Sequence, residues 1–253
     1  MLSGFYPYFS KGRVLKKENV EYLRDFPYEL ALMAYEHYSD GVLYGFNVSH
    51  EGDDIRIGNG ALIHKGGIIM VNKSTVTIEE YGQTLNIRLY VGKSRETEDY
   101  KLCPTEINID KRVMISENEI ELGSFCLNKG AELRTKYDSF DDMRTPENTL
   151  DITRVAYAGE GAPTLHPTVM KEFAKEVLAR SKDEFDVSFA LMCLNSGIVS
   201  KSVIQYYIAK KNNADYTDYM LQMLYDKLYD ILPEYGQKNT RKRAVNKGPR
   251  IEW

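Results

Sequence analysis

Hydrophobic and polar residues alternate through much of the chain between residues 41 and 158. The alternation is clearest in four stretches: 54–57, 85–91, 107–109 and 119–122. A period of two places one set of side chains on a buried face and the other in water, as in antiparallel strands. Glycine-containing turn signals fall between these stretches, at 51–53, 58–60, 66–67 and 128–130. Short strands at this spacing predict a compact antiparallel sandwich or barrel, and we expect hairpin turns at 58–60 and 66–67.

The hydrophobic period becomes helical between residues 163 and 235. A first helix is predicted to open at Pro167, with an apolar stripe of Met170, Phe173, Ala174, Val177 and Leu178. Asp183 is a predicted N-cap for a second helix, whose residues 185–194 are apolar on nearly every side. That helix, ending at Gly197, is therefore predicted to lie at the centre of a small bundle. Ser200 is the predicted cap of a third helix, and Pro233 the end of a fourth over 220–231.

The first forty residues are predicted to begin irregularly and then to form a helix. Pro27 suits a first helical turn, and apolar residues follow at helical spacing until Asp40 and Gly41 stop the pattern. The predicted organisation is therefore four regions, at 1–40, 41–158, 159–235 and 236–253. The fold class is α+β, with an antiparallel β sandwich or barrel module, a small helical bundle and an extended basic C-terminal arm.

Composition is that of a globular protein with enough apolar material for a core. The chain has 253 residues, of which 43% are hydrophobic and 28% charged. The 19 tyrosines suit interfaces, although a strand-rich fold explains most of them. Three cysteines far apart favour a reduced site of synthesis. No signal peptide and no membrane-spanning run is evident, so we expect a soluble chain made in the cytoplasm, without membrane insertion.

The strongest local charge feature is the segment from Gly236 onward. It carries six Lys and Arg residues against Glu252, a net charge of +5, whereas the whole chain is −4, so the remainder is about −9. We interpret it as an arm that docks on an acidic partner or a neighbouring copy. Binding of nucleic-acid phosphates and a solvated tail are the alternatives. The candidate partner-binding residues are Arg241, Lys242, Arg243, Lys247, Arg250 and Trp253.

Motifs for catalysis, cofactors and metals are missing or incomplete. Gly92-Lys93-Ser94 resembles the end of a phosphate-binding loop, but Ile87 stands where that loop needs a glycine. The histidines (His37, His50, His64 and His166) are scattered. The acidic group Asp138, Asp141 and Asp142 lacks calcium-loop spacing, which favours a solvated turn. We therefore predict no enzymatic activity, no catalytic residues, no metal, no cofactor and no small-molecule substrate.

Two pairs of segments carry a resemblance to known proteins. The sequences DGVLYGFNV (40–48) and IRIGNGALIHKGG (55–67) resemble β modules of phage baseplate and tail-fibre attachment proteins. NTLDI (148–152) and TLHP (164–167) are similar to proteins of prophages and of phage-tail-like bacteriocins in Gram-positive bacteria. The resemblance implies a structural subunit with no enzymatic activity. It also implies partners among other tail or baseplate subunits, in several copies of a symmetric particle where the protein finally resides.

The sequence is also compatible with two other functions. The basic tail could make the chain a nucleic-acid-associated protein, although the acidic remainder argues against a broad phosphate-binding face. Tyrosines on the β part could instead form a carbohydrate-binding module.

Overall fold

The computed structural model describes residues 7–232, with Lys101 described by its backbone alone, and it has the predicted α+β architecture. The helices are α1 (Lys17–Ala34), α2 (Pro167–Arg180), α3 (Glu184–Asn195), α4 (Lys201–Lys211) and α5 (Leu221–Ile231). The strands are β1 (Gly41–Gly45), β2 (Val48–Glu51), β3 (Asp54–Ile57), β4 (Gly60–His64), β5 (Gly67–Val71), β6 (Ser74–Thr77), β7 (Thr84–Val91), β8 (Arg95–Glu96), β9 (Lys101–Leu102), β10 (Thr105–Asp110) and β11 (Glu119–Cys126).

Within residues 7–232 the strands form three three-stranded sheets and one two-stranded ribbon, all antiparallel. The strand orders are β1-β4-β5, β2-β3-β6 and β10-β7-β11, and the ribbon pairs β8 with β9. All four stretches of alternating residues are confirmed as strands, namely β3, β7, β10 and β11. Antiparallel sheets followed by helices are thus the architecture that the pattern indicated.

One of the two predicted hairpin turns is confirmed and the other is wrong. Lys65 and Gly66 take positive φ of 50° and 74° in the tight turn between the paired strands β4 and β5. The turn at 58–60 instead carries the chain from β3 to β4, which belong to different sheets. A glycine-rich stretch marks a backbone bend but does not determine whether the flanking strands pair with each other.

Two glycines permit the close approach at this crossing. Gly45 has φ +83°, and a Cβ there would lie 2.2 Å from the carbonyl oxygen of Asn59. A Cβ on Gly60 would lie 2.4 Å from the ring of Phe46, which is buried. Only glycine lets the two backbones and this ring occupy the same small space.

The predicted helices of the second half form as expected, with one correction. α2 begins at Pro167 and buries the predicted stripe up to Val177. Asp183 caps α3, because its carboxylate accepts the backbone N–H groups of Phe185 and Asp186. α3 is not enclosed on every side by the described chain, since Phe185 and Leu191 are 43% and 54% exposed.

Two of the remaining helix-boundary predictions need qualification. Ser200 occupies the N-cap position of α4, but its side chain makes no hydrogen bond to the first turn of that helix. Pro233, the predicted end of α5, lies outside the described residues.

The boundaries predicted for α1 are wrong. The helix starts at Lys17 and ends at Ala34, and Pro27 lies in its interior instead of its first turn. Glu18, Leu23 and Arg24 are good helix formers and extend the helix toward the N-terminus. Pro27 removes one helical hydrogen bond without ending the helix.

A single hydrophobic cluster joins the sheets to the helices. The segment 127–166, irregular apart from the short 3-10 helix Asp141–Arg144, supplies much of the contact, including Phe140, which is 0% exposed. The Phe140 ring lies 4.4 Å from Tyr225 of α5 and 5.4 Å from Phe173 of α2, measured between ring centroids. Phe173 in turn contacts Tyr207 of α4 at 6.0 Å. The strands and helices therefore share one core.

His166 links this core to the start of α2. Its Nδ1 accepts the backbone N–H of Thr168 at 3.0 Å, and its ring packs edge-on against Tyr157. Burial, assisted by the positive charge of Lys171, lowers the pKa of His166 to about 4. Below its ordinary pKa of about 6.5 the unfolded chain takes up this proton and the folded chain does not, so stability falls as pH drops from about 6.5 to 4.

His166→Asn keeps a capping acceptor but cannot titrate in this range. We expect the wild type to lose about 2 kcal/mol between pH 6.5 and 4 through this residue, and the variant to lose correspondingly less. Denaturant unfolding followed at several pH values measures the difference. Parallel pH profiles for the two proteins would contradict the assignment.

Candidate functional site

The polar face of the β10-β7-β11 sheet carries a cluster of charged side chains. Residues at odd positions of β7 face the core, whereas Asn86 and Arg88 face the other way. Arg88 is paired in register with Asn108 of β10 and Glu121 of β11. We define the charge cluster as Arg88, Asp110, Arg112, Glu119, Glu121 and Arg154, three positive and three negative groups.

Ion pairs connect the members of the charge cluster. Arg88 is 1% exposed, and its Nη1 lies 2.7 Å from Oδ1 of Asp110. Arg112 Nη2 lies 2.7 Å from Asp110 and 2.8 Å from Glu119. Arg154, from the irregular segment, lies 3.1 Å from Glu121. The cluster therefore joins the sheet to the segment that leads into the helices.

The pKa values of the cluster's carboxyl groups are shifted in different directions. Burial raises the pKa of Glu121, and the charge of Arg154 only partly opposes it. The backbone N–H of Ser116 and the Arg112 guanidinium lower the pKa of Glu119. Burial alone would raise the pKa of Asp110, but hydrogen bonds from Arg112 and the charge of Arg88 outweigh it and lower that pKa.

Raised carboxyl pKa values occur in catalytic sites and in structural ion-pair networks alike. Arg88 Nε is buried without a hydrogen-bond partner in the described residues. Glu121 Oε1 lies near Arg154 but outside hydrogen-bond geometry. Both groups are covered by protein and the cluster charges balance, so the arrangement supports a structural role in fixing the sheet.

An acidic cleft of ≈ 490 Å³ lies beside the turn between β2 and β3. Glu51, Asp53 and Glu132 line it beside His50 and Tyr81. The Tyr81 hydroxyl donates to Asp53 at 2.5 Å, and His50 Nδ1 accepts the backbone N–H of Leu133 at 3.2 Å. These residues come from distant parts of the chain, so the sequence carries no local signal for the cleft. Glu51 is already paired with Arg56, so the two other carboxylates are the ones that suit a basic segment as ligand.

Large apolar side chains are exposed at several places in the described chain, and α1 and the loop between β10 and β11 are two of them. None of the 18 residues of α1 is buried. The loop between β10 and β11 exposes Val113 and Met114 at 81% and 85%, with Ile115 beside them. Concentrations of exposed apolar side chains mark interaction surfaces.

Residues 7–232 contain neither a metal-binding cluster nor a helix that could span a membrane. Residues 7–232 contain no group of three or more His, Cys, Asp or Glu side chains placed to hold a metal ion. No helix in this part of the chain is both long and apolar enough to cross a bilayer.

The structure describes only some of the residues that the sequence singled out as candidate sites. Arg241, Lys242, Arg243, Lys247, Arg250 and Trp253 lie outside the described residues. In the acidic group, Asp138 is exposed as predicted, but Asp142 is not simply solvated. It pairs with Arg134, whose guanidinium lowers the pKa of Asp142 to about 2.

Comparison with known proteins yields similarity to solved structures only, since no family model and no curated protein matches this chain. A crystal structure of TssK is similar with a TM-score of 0.44 and 8% identity, covering 90% of this chain and 71% of that one. A chain of the type VI secretion system TssK–TssF–TssG baseplate subcomplex is similar with a TM-score of 0.44 and 10% identity. That match covers 91% of this chain and 98% of the other. Similarity at this level transfers no residue role or activity.

Glu121→Gln and Glu119→Gln form a matched pair with opposite expected pH behaviour. Because the folded pKa of Glu121 is raised, its contribution to stability falls as pH rises through the interval from about 4.5 to the folded value. Glu119, with a lowered pKa, stabilises the fold above about 4.5 and loses this effect as pH drops.

We expect Glu121→Gln to gain stability relative to wild type as pH rises from 4 to 7, and Glu119→Gln to lose it. Chemical denaturation at both pH values measures the two changes. Changes of the same sign in both variants would contradict the electrostatic assignment.

Proposed function

We propose that this protein is a structural subunit of a phage-like contractile tail or baseplate, acting through protein–protein contacts and without enzymatic activity. The observation that carries the proposal is the exposed apolar surface of α1 and of the β10–β11 loop. A chain that buries a continuous core and still exposes these side chains has the composition of a subunit whose surfaces are completed by neighbours.

The charge distribution supports assembly in several copies. The basic segment 236–253 and the acidic cleft carry opposite charge on the same chain. A tail on one copy and a cleft on the next form a head-to-tail contact, which generates rings or stacked particles when repeated. We propose the acidic cleft as the docking place of the basic arm.

Residues 40–48 and 55–67 resemble baseplate and tail-fibre modules. This resemblance is the reason for proposing that the particle is a phage-like tail or baseplate. The baseplate subcomplex named above belongs to a secretion system, and the present proposal rests on the surfaces of this chain and not on that similarity. The balanced charges of the cluster, and the burial of Arg88 and Glu121 within it, support the non-enzymatic part of the proposal.

The proposal is tested by tagging the protein in its native host, inducing particle production and pelleting the lysate by ultracentrifugation. We expect the tagged chain to sediment with tail-like particles visible by electron microscopy. Particles that pellet without the tagged chain, while it stays in the supernatant, would overturn the proposal.

Deleting residues 237–253 should reduce the pelleted fraction by about tenfold, because the electrostatic contact between copies is lost. Replacing Glu51, Asp53 and Glu132 together by their amides should have a similar effect. Replacing Glu96, Glu98 and Asp99, three exposed carboxylates at the β8–β9 ribbon, by their amides serves as the matched control. Unchanged assembly after both the deletion and the cleft substitutions would exclude the tail–cleft contact.

A further inference from the structure

The acidic cleft keeps a net negative charge after the ion pairs of the described residues are taken into account. The carboxylates of Asp53, Glu79 and Glu132 are exposed and form no ion pair within residues 7–232. Glu79 belongs to this group because the backbone N–H of Ile78 donates to the carbonyl oxygen of Asp53 at 2.7 Å. Lys129, on the turn that lines the cleft, offsets one of the three charges. The cleft therefore attracts a cationic ligand.

The same chain carries a segment of matching charge within reach of its own cleft. The segment 236–253 holds six basic residues and has a net charge of +5. Arg241 follows Leu232, the last described residue, by nine residues and Arg250 by eighteen, which extend to about 30 Å and about 60 Å. A compact chain of 226 residues has a radius of gyration of about 17 Å, corresponding to a diameter of about 45 Å. The basic residues therefore reach sites over most of the surface of their own chain.

Tethering favours a contact within one chain over the same contact between two chains. A ligand joined to its receptor by a short stretch of chain is present at an effective concentration on the order of 1 mM. Separate chains would have to reach that concentration before the arm of a neighbour competed equally for the cleft. Below it, each arm is expected to occupy the cleft of its own chain.

We infer that the basic arm, residues 236–253, is autoinhibitory: in the free chain it occupies the acidic cleft of the same chain and prevents head-to-tail assembly. This inference rests on the proposed function, because it assigns a regulation to the tail–cleft contact proposed above. In the particle, the clefts of neighbouring copies are held as close to the arm as its own. The arm then exchanges its own cleft for a neighbour's, which replaces one contact by an identical one and costs little free energy.

Autoinhibition also accounts for how a head-to-tail contact is kept from acting too early. A heterologous contact that does not close into a ring grows into open filaments. A cleft that is covered in the free chain offers no docking place to a second free chain. Growth is thereby restricted to a particle in which neighbours are already held side by side.

Peptide binding to the full chain tests the inference. The probe is a synthetic peptide of residues 236–253, titrated at low micromolar protein concentration and followed by fluorescence anisotropy. The comparison protein is a full-length arm variant in which glutamine replaces all six basic residues of the arm, namely Lys238, Arg241, Lys242, Arg243, Lys247 and Arg250. We expect the peptide to bind the arm variant at least about tenfold more tightly than the wild type, because the tethered arm occupies the wild-type cleft.

Substitutions in the cleft of the arm variant test where the peptide binds. Asp53→Asn, Glu79→Gln and Glu132→Gln together should abolish peptide binding, because they remove the negative charge of the cleft. The matched control replaces three exposed carboxylates at the β8–β9 ribbon by their amides and should bind as before: Glu96, Glu98 and Asp99. Equal affinity for the wild type and the arm variant, binding to neither, or binding that survives the cleft substitutions would overturn the inference.

Cysteine cross-linking distinguishes the chain's own cleft from that of a neighbour. Glu132→Cys with Arg243→Cys on one chain should give an internal disulfide on brief oxidation, with a yield independent of protein concentration. A mixture of the two single variants should give no more cross-linked dimer than the wild type, because each arm stays with its own cleft. Efficient formation of a mixed dimer would place the contact between free chains and contradict autoinhibition.

Pelleting with particles separates this inference from the proposed function. A chain whose arm does not occupy its own cleft, but which still sediments with particles, removes only the autoinhibition. A chain that binds the peptide as expected, but never sediments with particles, removes only the tail or baseplate function.

Discussion

The stacked contact of Phe140 with Tyr225 is the interaction on which the joint between sheets and helices depends. Phe140 belongs to no helix or strand, yet it is completely buried. Its ring touches α5 on one side and α2 on the other, and the Tyr225 hydroxyl donates to its carbonyl oxygen. Aromatic pairs contribute more than their buried area alone. An irregular segment thereby connects the sheets to the helices, a role that a shared sheet or a long helix has in other folds.

The charge cluster and the core restrain the same segment from different directions. Arg154 reaches from it to Glu121 on the polar face of the sheet, while Phe140 anchors it among the helices. Buried ion pairs contribute little net stability, because removing charges from water is costly. Buried ion pairs form only at particular distances and orientations, so the cluster's main effect is to hold residues 151–154 in one position on the sheet.

Local patterns predicted most of the individual elements but not their connections. Period-two alternation identified β3, β7, β10 and β11, and Pro167 and Asp183 identified two helix starts, because these signals depend on near neighbours. The division into three sheets could not be predicted, since glycines at 58–60 look alike in a hairpin and in a crossing. The acidic cleft and the charge cluster are built from residues tens of positions apart. The start of α1 is not predictable from Pro27, which is typical of a first helical turn, because helix-forming residues before it continue the helix.

The shared core also determines how this chain responds to mechanical load. A pull applied to α5 passes through Tyr225 and Phe140 into the segment whose backbone is hydrogen-bonded to strands β1 and β11. Force is then borne by packed rings and backbone hydrogen bonds acting together, which yield cooperatively instead of one at a time. The described chain therefore behaves as a stiff coupling between its two halves.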